Sequence, residues 1–215
     1  MHRFRFAVGL AAFILAVPVL ADGPAIVDDF ENTESWSVLT SDGVAARLSS
    51  VEGSTGKALR LDYDFQGHFG YVVLRRELKL SLPDNYRFVT EVRGTGEANN
   101  LEFKLVGGGG ENVWWHVRRD WAYPSDWSPV TVRKRQIQFA WGPSRETPLT
   151  EVSALELAVS TGMGGKGWLE LDTLTVEALQ PARPIPPVAT FGTHADRNGE
   201  STLSSPMATD MDIII

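Results

Sequence analysis

The chain has 215 residues, of which 43% are hydrophobic and 22% charged, with a formal net charge of −7 and no cysteine. This is a globular composition, long enough for one good-sized domain with appendages. The acidic balance argues against non-specific nucleic-acid binding, and the absence of cysteine excludes disulfides and thiolate metal sites.

Residues 1–21 carry Arg3 and Arg5, then an apolar run from Phe6 to Leu20, then Val19-Leu20-Ala21 before Asp22. A basic start, an apolar stretch and a small-residue cleavage site together predict a secretory signal peptide cut after Ala21. The run is short for a membrane span. The expectation is a secreted or periplasmic protein with no membrane attachment after cleavage; an uncleaved anchor is the alternative.

From Ile26 onward short strand-like runs alternate with turn residues. They are Ile26–Phe30, Trp36–Leu39, Ala45–Leu48, Ala58–Phe65, Tyr71–Leu80, Tyr86–Arg93, Asn100–Val106, Asn112–Trp121, Val130–Arg135, Ala154–Thr161 and Gly167–Ala178. Strand side chains alternate between two faces, and Ala58–Phe65 (ALRLDYDF) shows this cleanly. Many short strands at regular spacing, with no amphipathic helix, predict an all-β fold, an antiparallel two-sheet β-sandwich over residues 22–179.

Asn112–Trp121 (NVWWHVRRDW) is the stretch richest in chemistry. Alternation predicts Val113, Trp115 and Val117 on the core side and Asn112, Trp114, His116 and Arg118 on the other. Asn100–Val106 places Leu101, Phe103 and Leu105 inward, and Glu102 and Lys104 outward. Val130–Arg135 places Val130 and Val132 inward, and Thr131, Arg133 and Arg135 outward. If these strands lie side by side, Trp114, Glu102, Lys104, His116, Arg118, Arg133 and Arg135 form one polar surface around an indole. That is the chemistry of a sugar-binding face, since sugar C–H groups stack on aromatic rings while polar side chains take hydroxyls. A solvated outer face with cross-strand ion pairs is the plainer alternative.

Trp168–Ala178 (WLELDTLTVEA) breaks its own pattern. Leu169 and Leu171 share one parity, Leu174 and Val176 the other, so a bulge near Asp172 is expected. A carboxylate turned inward there needs a partner. Backbone N–H groups at the bulge would serve, and so would a Ca²⁺ shared with the acidic first strand.

Residues 180–215 open with Pro181, Pro184, Pro186 and Pro187, then run through Gly, Ser, Thr and Asp to Ile215. This reads as a proline-rich linker and a disordered tail. Its abrupt change of composition is what truncation or frameshift of a longer multidomain protein would leave. There is no phosphate-binding loop, dinucleotide fingerprint, G-x-S-x-G elbow or H-E-x-x-H, and Gly107–Gly110 precedes a strand, as a hairpin turn would. No enzyme is expected.

The order DDFEN…W, GKALRLDYDF, NYRFVTEVRG, NNLEFKLV…NVWW and GWLELDTLTV resembles the galactose-binding-like jelly-roll modules. It is similar above all to carbohydrate-binding modules of family eleven. The stretches NVWWHVRRDWAYPSDW and KRQIQFAWGP resemble the N-terminal module of bacterial discoidin-domain proteins. The resemblance implies a jelly roll whose concave face binds a polysaccharide or oligosaccharide. It also implies a structural Ca²⁺ where the first and last strands meet, at Asp29, Glu31, Asp172 and the carbonyl of Lys57. A monomeric, non-catalytic glycan-binding module is therefore expected. The other reading is a structural or docking domain accessory to a carbohydrate-active enzyme.

Overall fold

The computed structural model describes residues 23–181. The expected signal peptide and all but the first two residues of the expected tail lie outside them. Twelve strands and two short 3-10 turns make up the described chain. The first sheet runs β3 (Ala45–Glu52), β4 (Lys57–Asp64), β12 (Lys166–Ala178), β6 (Tyr86–Thr95) and β9 (Ser128–Arg133) in that order. Its sixth strand, β1 (Ala25–Asp28), pairs with the second half of β12. The second sheet runs β10 (Gln138–Trp141), β8 (Val113–Trp121), β7 (Asn99–Gly107), β11 (Glu151–Ser160), β5 (Tyr71–Ser81) and β2 (Trp36–Thr40). Every ladder is antiparallel. The expected all-β, two-sheet sandwich is what the chain forms.

The alternation seen in the sequence is the alternation of burial. Tyr86, Phe88, Thr90, Val92 and Gly94 on β6 are buried while the residues between them are partly exposed. The core lies between the sheets and includes Leu59, Leu61, Phe65, Leu74, Phe88, Phe103, Leu105, Leu155, Leu157, Leu169 and Leu174. Fully burying one such side chain contributes about 1.5–3 kcal/mol.

The break in β12 is a bulge. Its register against β6 shifts between Asp172 and Thr175, and Thr173 takes a positive φ of 47°. Leu171 and Leu174 both reach the core as a result.

Two expectations fail at the other end of the fold. β10 was not among the expected strands, and β9 belongs to the first sheet although β7 and β8 belong to the second. The 3-10 turn Lys134–Gln136 carries the chain from β9 toward β10. Alternation shows which way a side chain points in its own sheet and says nothing about which sheet that is.

Candidate functional site

The register between β7 and β8 decides which tryptophan faces where. Leu105 lies opposite Trp114, Phe103 opposite His116, and Leu101 opposite Arg118. Directly opposed residues in an antiparallel pair share a face. Trp114, His116 and Arg118 therefore point inward with the three core residues, and Trp115 and Val117 point outward with Lys104 and Glu102. The expected assignment of β8 is inverted. Trp114 is 9% exposed, packs edge-to-face on Phe139 and covers Gly107, where an added Cβ would come within 2.8 Å of the indole.

Polar side chains can point inward here because β8 lies near the edge of its sheet. The Arg118 guanidinium donates to the carbonyl of Thr131 on the opposite sheet at 2.8 Å. Burial lowers the Arg118 pKa. Burial also holds the His116 imidazole below its usual value, with the charge of Arg118 adding to this and a backbone hydrogen bond at Gln136 opposing it. Arg133 and Arg135 are exposed, one at the end of β9 and the other in the following turn. The seven expected sugar-binding residues are thus divided among the outer face of the second sheet, the inner face of β8, and the crossing between sheets.

The outer face of the second sheet gathers a different set. One cross-strand row reads Gln138, Trp115, Lys104, Glu156, Arg75 and Ser37, strand by strand from β10 to β2. The next row holds Val117, Glu102, Ala158, Val73 and Leu39. Glu102 and Lys104 point away from the core, yet each is only 8% exposed. The floor is therefore sunk below its rims, where Trp141, Tyr71 and Leu39 are about half exposed.

Every charge in these two rows is partnered, while Arg119, exposed beside Val117, forms no ion pair among the described residues. Lys104 Nζ lies 2.8 Å from Glu102 Oε2, and Ser160 Oγ donates to Glu102 Oε1 at 2.6 Å. Arg75 pairs with Glu156 and, at 2.7 Å, with Glu77. Burial pulls the Arg75 pKa down, but these two carboxylates outweigh it and leave it raised. Trp115 meets Trp141 edge-to-face with ring centroids 5.8 Å apart, and Lys104 Nζ sits 5.7 Å from the Trp141 centroid. Beside this pair a depression of about 470 Å³ is lined by Trp115, His116, Val117, Arg119, Gln136 and Gln138. The face thus combines two partly exposed indoles with a rigid floor of hydrogen-bonding groups. Glu102 and Lys104 were expected here; Trp115, Trp141, Glu156, Arg75 and Ser160 were not. The signal that would have found them is the core set Leu101, Phe103 and Leu105, once paired in register with β8.

The expected metal ligands meet in part. Asp172 Oδ2 accepts from the N–H and the hydroxyl of Ser54, each at 2.8 Å, and from the N–H of Thr55 at 3.0 Å. Its Oδ1 accepts from the Thr173 hydroxyl. Glu31 Oε1 accepts from the N–H of Lys57 at 2.9 Å, and Asp29 accepts from the N–H of Glu31. Gly56 makes room for Glu31, since an added Cβ would lie 1.8 Å from Oε1, and its φ of +61° also favours glycine. The turn 53–57 therefore presents donors to both carboxylates. A calcium ion takes oxygens that are free to face it. As placed, both Asp172 oxygens, Glu31 Oε1 and Asp29 Oδ1 each accept from an N–H or O–H group, and among the described residues no cluster of three metal-ligating side chains forms.

No family model and no curated protein matches the chain. Solved structures do. The family 11 carbohydrate-binding module from Clostridium thermocellum in complex with a β-1,3-1,4-mixed-linked tetrasaccharide is similar at a TM-score of 0.61 and 18% identity, over 74% of this chain and 97% of that one. The family 11 module of the cellulosomal cellulase Lic26A-Cel5E of the same organism gives 0.60 and 15%, with the same coverage of both chains. The agarase AgWH50C gives 0.52 and 15%, over 75% of this chain and 25% of that one. At these identities the likeness shows the fold, and that fold is the β-sandwich of carbohydrate-binding modules.

Proposed function

We propose that the chain is a secreted, non-catalytic carbohydrate-binding module whose glycan lies on the outer face of the second sheet. The observation that carries this reading is the Trp115–Trp141 pair standing beside a sunken, fully paired polar floor. An indole offers a sugar its flat π face, and Glu102, Lys104, Glu156 and Ser160 offer the hydroxyls fixed donors and acceptors. The floor needs no counter-charge from a ligand, because Lys104 and Arg75 already face Glu102, Glu156 and Glu77. A neutral glycan fits such a surface better than an acidic one. The mixed-linked tetrasaccharide held by the Clostridium thermocellum module supports a β-glucan as the first ligand to try. Titration of the full chain with soluble β-glucan, xylan and α-glucan oligosaccharides tests the reading. Saturable binding of at least one of them is expected, and none across a broad neutral panel would overturn it.

A further inference from the structure

The outer face of the first sheet carries a second tryptophan–arginine arrangement that the proposed site does not use. Glu170 is only 2% exposed although it points outward, and both of its oxygens are taken. Arg60 Nη1 donates to Oε1 at 2.9 Å and Arg93 Nε donates to Oε2 at 2.5 Å. Arg60 also holds Asp62 Oδ1 at 2.9 Å. Each guanidinium lies on an indole, Arg60 at 4.3 Å from the Trp168 centroid and Arg93 at 4.7 Å from that of Trp127. A cation over an indole face is stabilising, and here the ion pairs lock its position.

A structural ladder would account for Arg60, Arg93, Asp62 and Glu170. It does not account for what stands next to them. A hollow of about 540 Å³ opens beside Trp168, and Arg47, Asp62, Asp64, Thr95 and Lys166 line it with the indole. Arg47 lies opposite Asp62 and Lys166 opposite Asp64 in the sheet register. Yet neither cation forms an ion pair among the described residues. With Asp62 neutralised by Arg60, the hollow holds two cations against the single carboxylate of Asp64. That is a locally positive site on a protein whose net charge is −7.

We infer that this hollow is a second glycan site, for a chain bearing carboxylates: a uronic-acid sugar stacks on Trp168 while Arg47 and Lys166 take its carboxylate. The inference stands apart from the proposed site on the second sheet, where the floor cations Lys104 and Arg75 are already paired. The two faces would take different sugars, one neutral and one acidic, on opposite sides of one sandwich.

Titration calorimetry of the full chain with oligogalacturonate and oligomannuronate tests it, with a neutral β-glucan oligosaccharide run in parallel. At least one uronate is expected to bind, and to weaken as salt is raised, because part of the attraction is exposed charge. Arg47→Ala and Lys166→Ala each remove an unpaired surface cation, so both variants should melt like the parent and bind the uronate at least tenfold more weakly. Trp168→Ala should lose the binding, and Trp115→Ala should keep it. No binding of either uronate would overturn the inference. So would binding that Arg47→Ala and Lys166→Ala leave unchanged, or binding that Trp115→Ala abolishes. The neutral titration is scored separately, so failure of one site is not mistaken for failure of the other.

Discussion

Trp114 lies directly across the β7–β8 ladder from Leu105, and Leu105 is wholly buried between the sheets. The indole is therefore a core residue, and its neighbour Trp115 takes the outer face. The two rings have different work, and their removal should have different consequences.

Trp114→Ala should empty a site packed against Phe139 and Gly107. Large-to-small changes of this kind cost about 3–5 kcal/mol. Trp115→Ala should lose mainly its edge-to-face contact with Trp141, worth about 0.5–1.5 kcal/mol. Chemical denaturation of both variants measures the difference. A Trp115→Ala protein that unfolds more easily than Trp114→Ala would reverse the assignment of the two faces.

Asp172 should matter through hydrogen bonds. Its carboxylate is fully buried and ties the bulge of β12 to the turn before β4 through Ser54 and Thr55. Truncation to alanine gives up hydrogen bonds to a charged acceptor, worth about 1.5–3 kcal/mol each, so Asp172→Ala should destabilise by at least about 2 kcal/mol. We propose that no ion is needed at this corner, so the melting temperature should be the same with chelator and with added calcium. A melt that chelator lowers and calcium restores would place an ion among Glu31, Asp172 and the Lys57 carbonyl.

Stability should fall on both sides of neutrality. His116 has a pKa below its usual 6.5 in the folded chain, chiefly through burial. The unfolded chain then binds the proton first, so stability is full above about 6.5 and is lost as pH falls through that value toward the lowered one. Tyr86 is the opposite case, its pKa pushed up from 10.0 to about 12 by burial. Its contribution is complete below 10 and is lost as pH rises from 10 through 12. Denaturation midpoints across pH measure both slopes. His116→Gln should flatten the acid slope, and an unchanged acid slope in that variant would remove His116 as its source.

Much of the fold was legible because burial in a sandwich follows a period of two. ALRLDYDF showed its buried face outright, and the change of parity between Leu171 and Leu174 announced the bulge at Asp172. The glycines at 107–110 read as the hairpin turn they form. The candidate site was not legible in the same way. In VWWHVRRDW both parities carry large apolar residues, so local alternation favoured the wrong face. The deciding fact, that Trp114 meets Leu105, belongs to the pairing of two strands and to neither alone. Arg133 and Arg135 stand apart from the site although their pattern matches it, because a strand pattern carries no mark of its sheet. Trp141 was missed as a site residue because β10 has four residues and lies at a sheet edge.

The proposed glycan site lies on the outer face of the second sheet, against Trp115 and Trp141. Calorimetric titration with mixed-linkage β-glucan oligosaccharides tests it most directly, on the parent chain and on the Trp115→Ala/Trp141→Ala double variant. A shallow face of this kind predicts a Kd on the order of 10⁻⁵–10⁻³ M for the parent, or about −4 to −7 kcal/mol. The double variant should melt within a few degrees of the parent and show no measurable binding. Equal binding by parent and variant would contradict the site, and a parent that binds no neutral glycan at all would turn the sandwich into a docking domain.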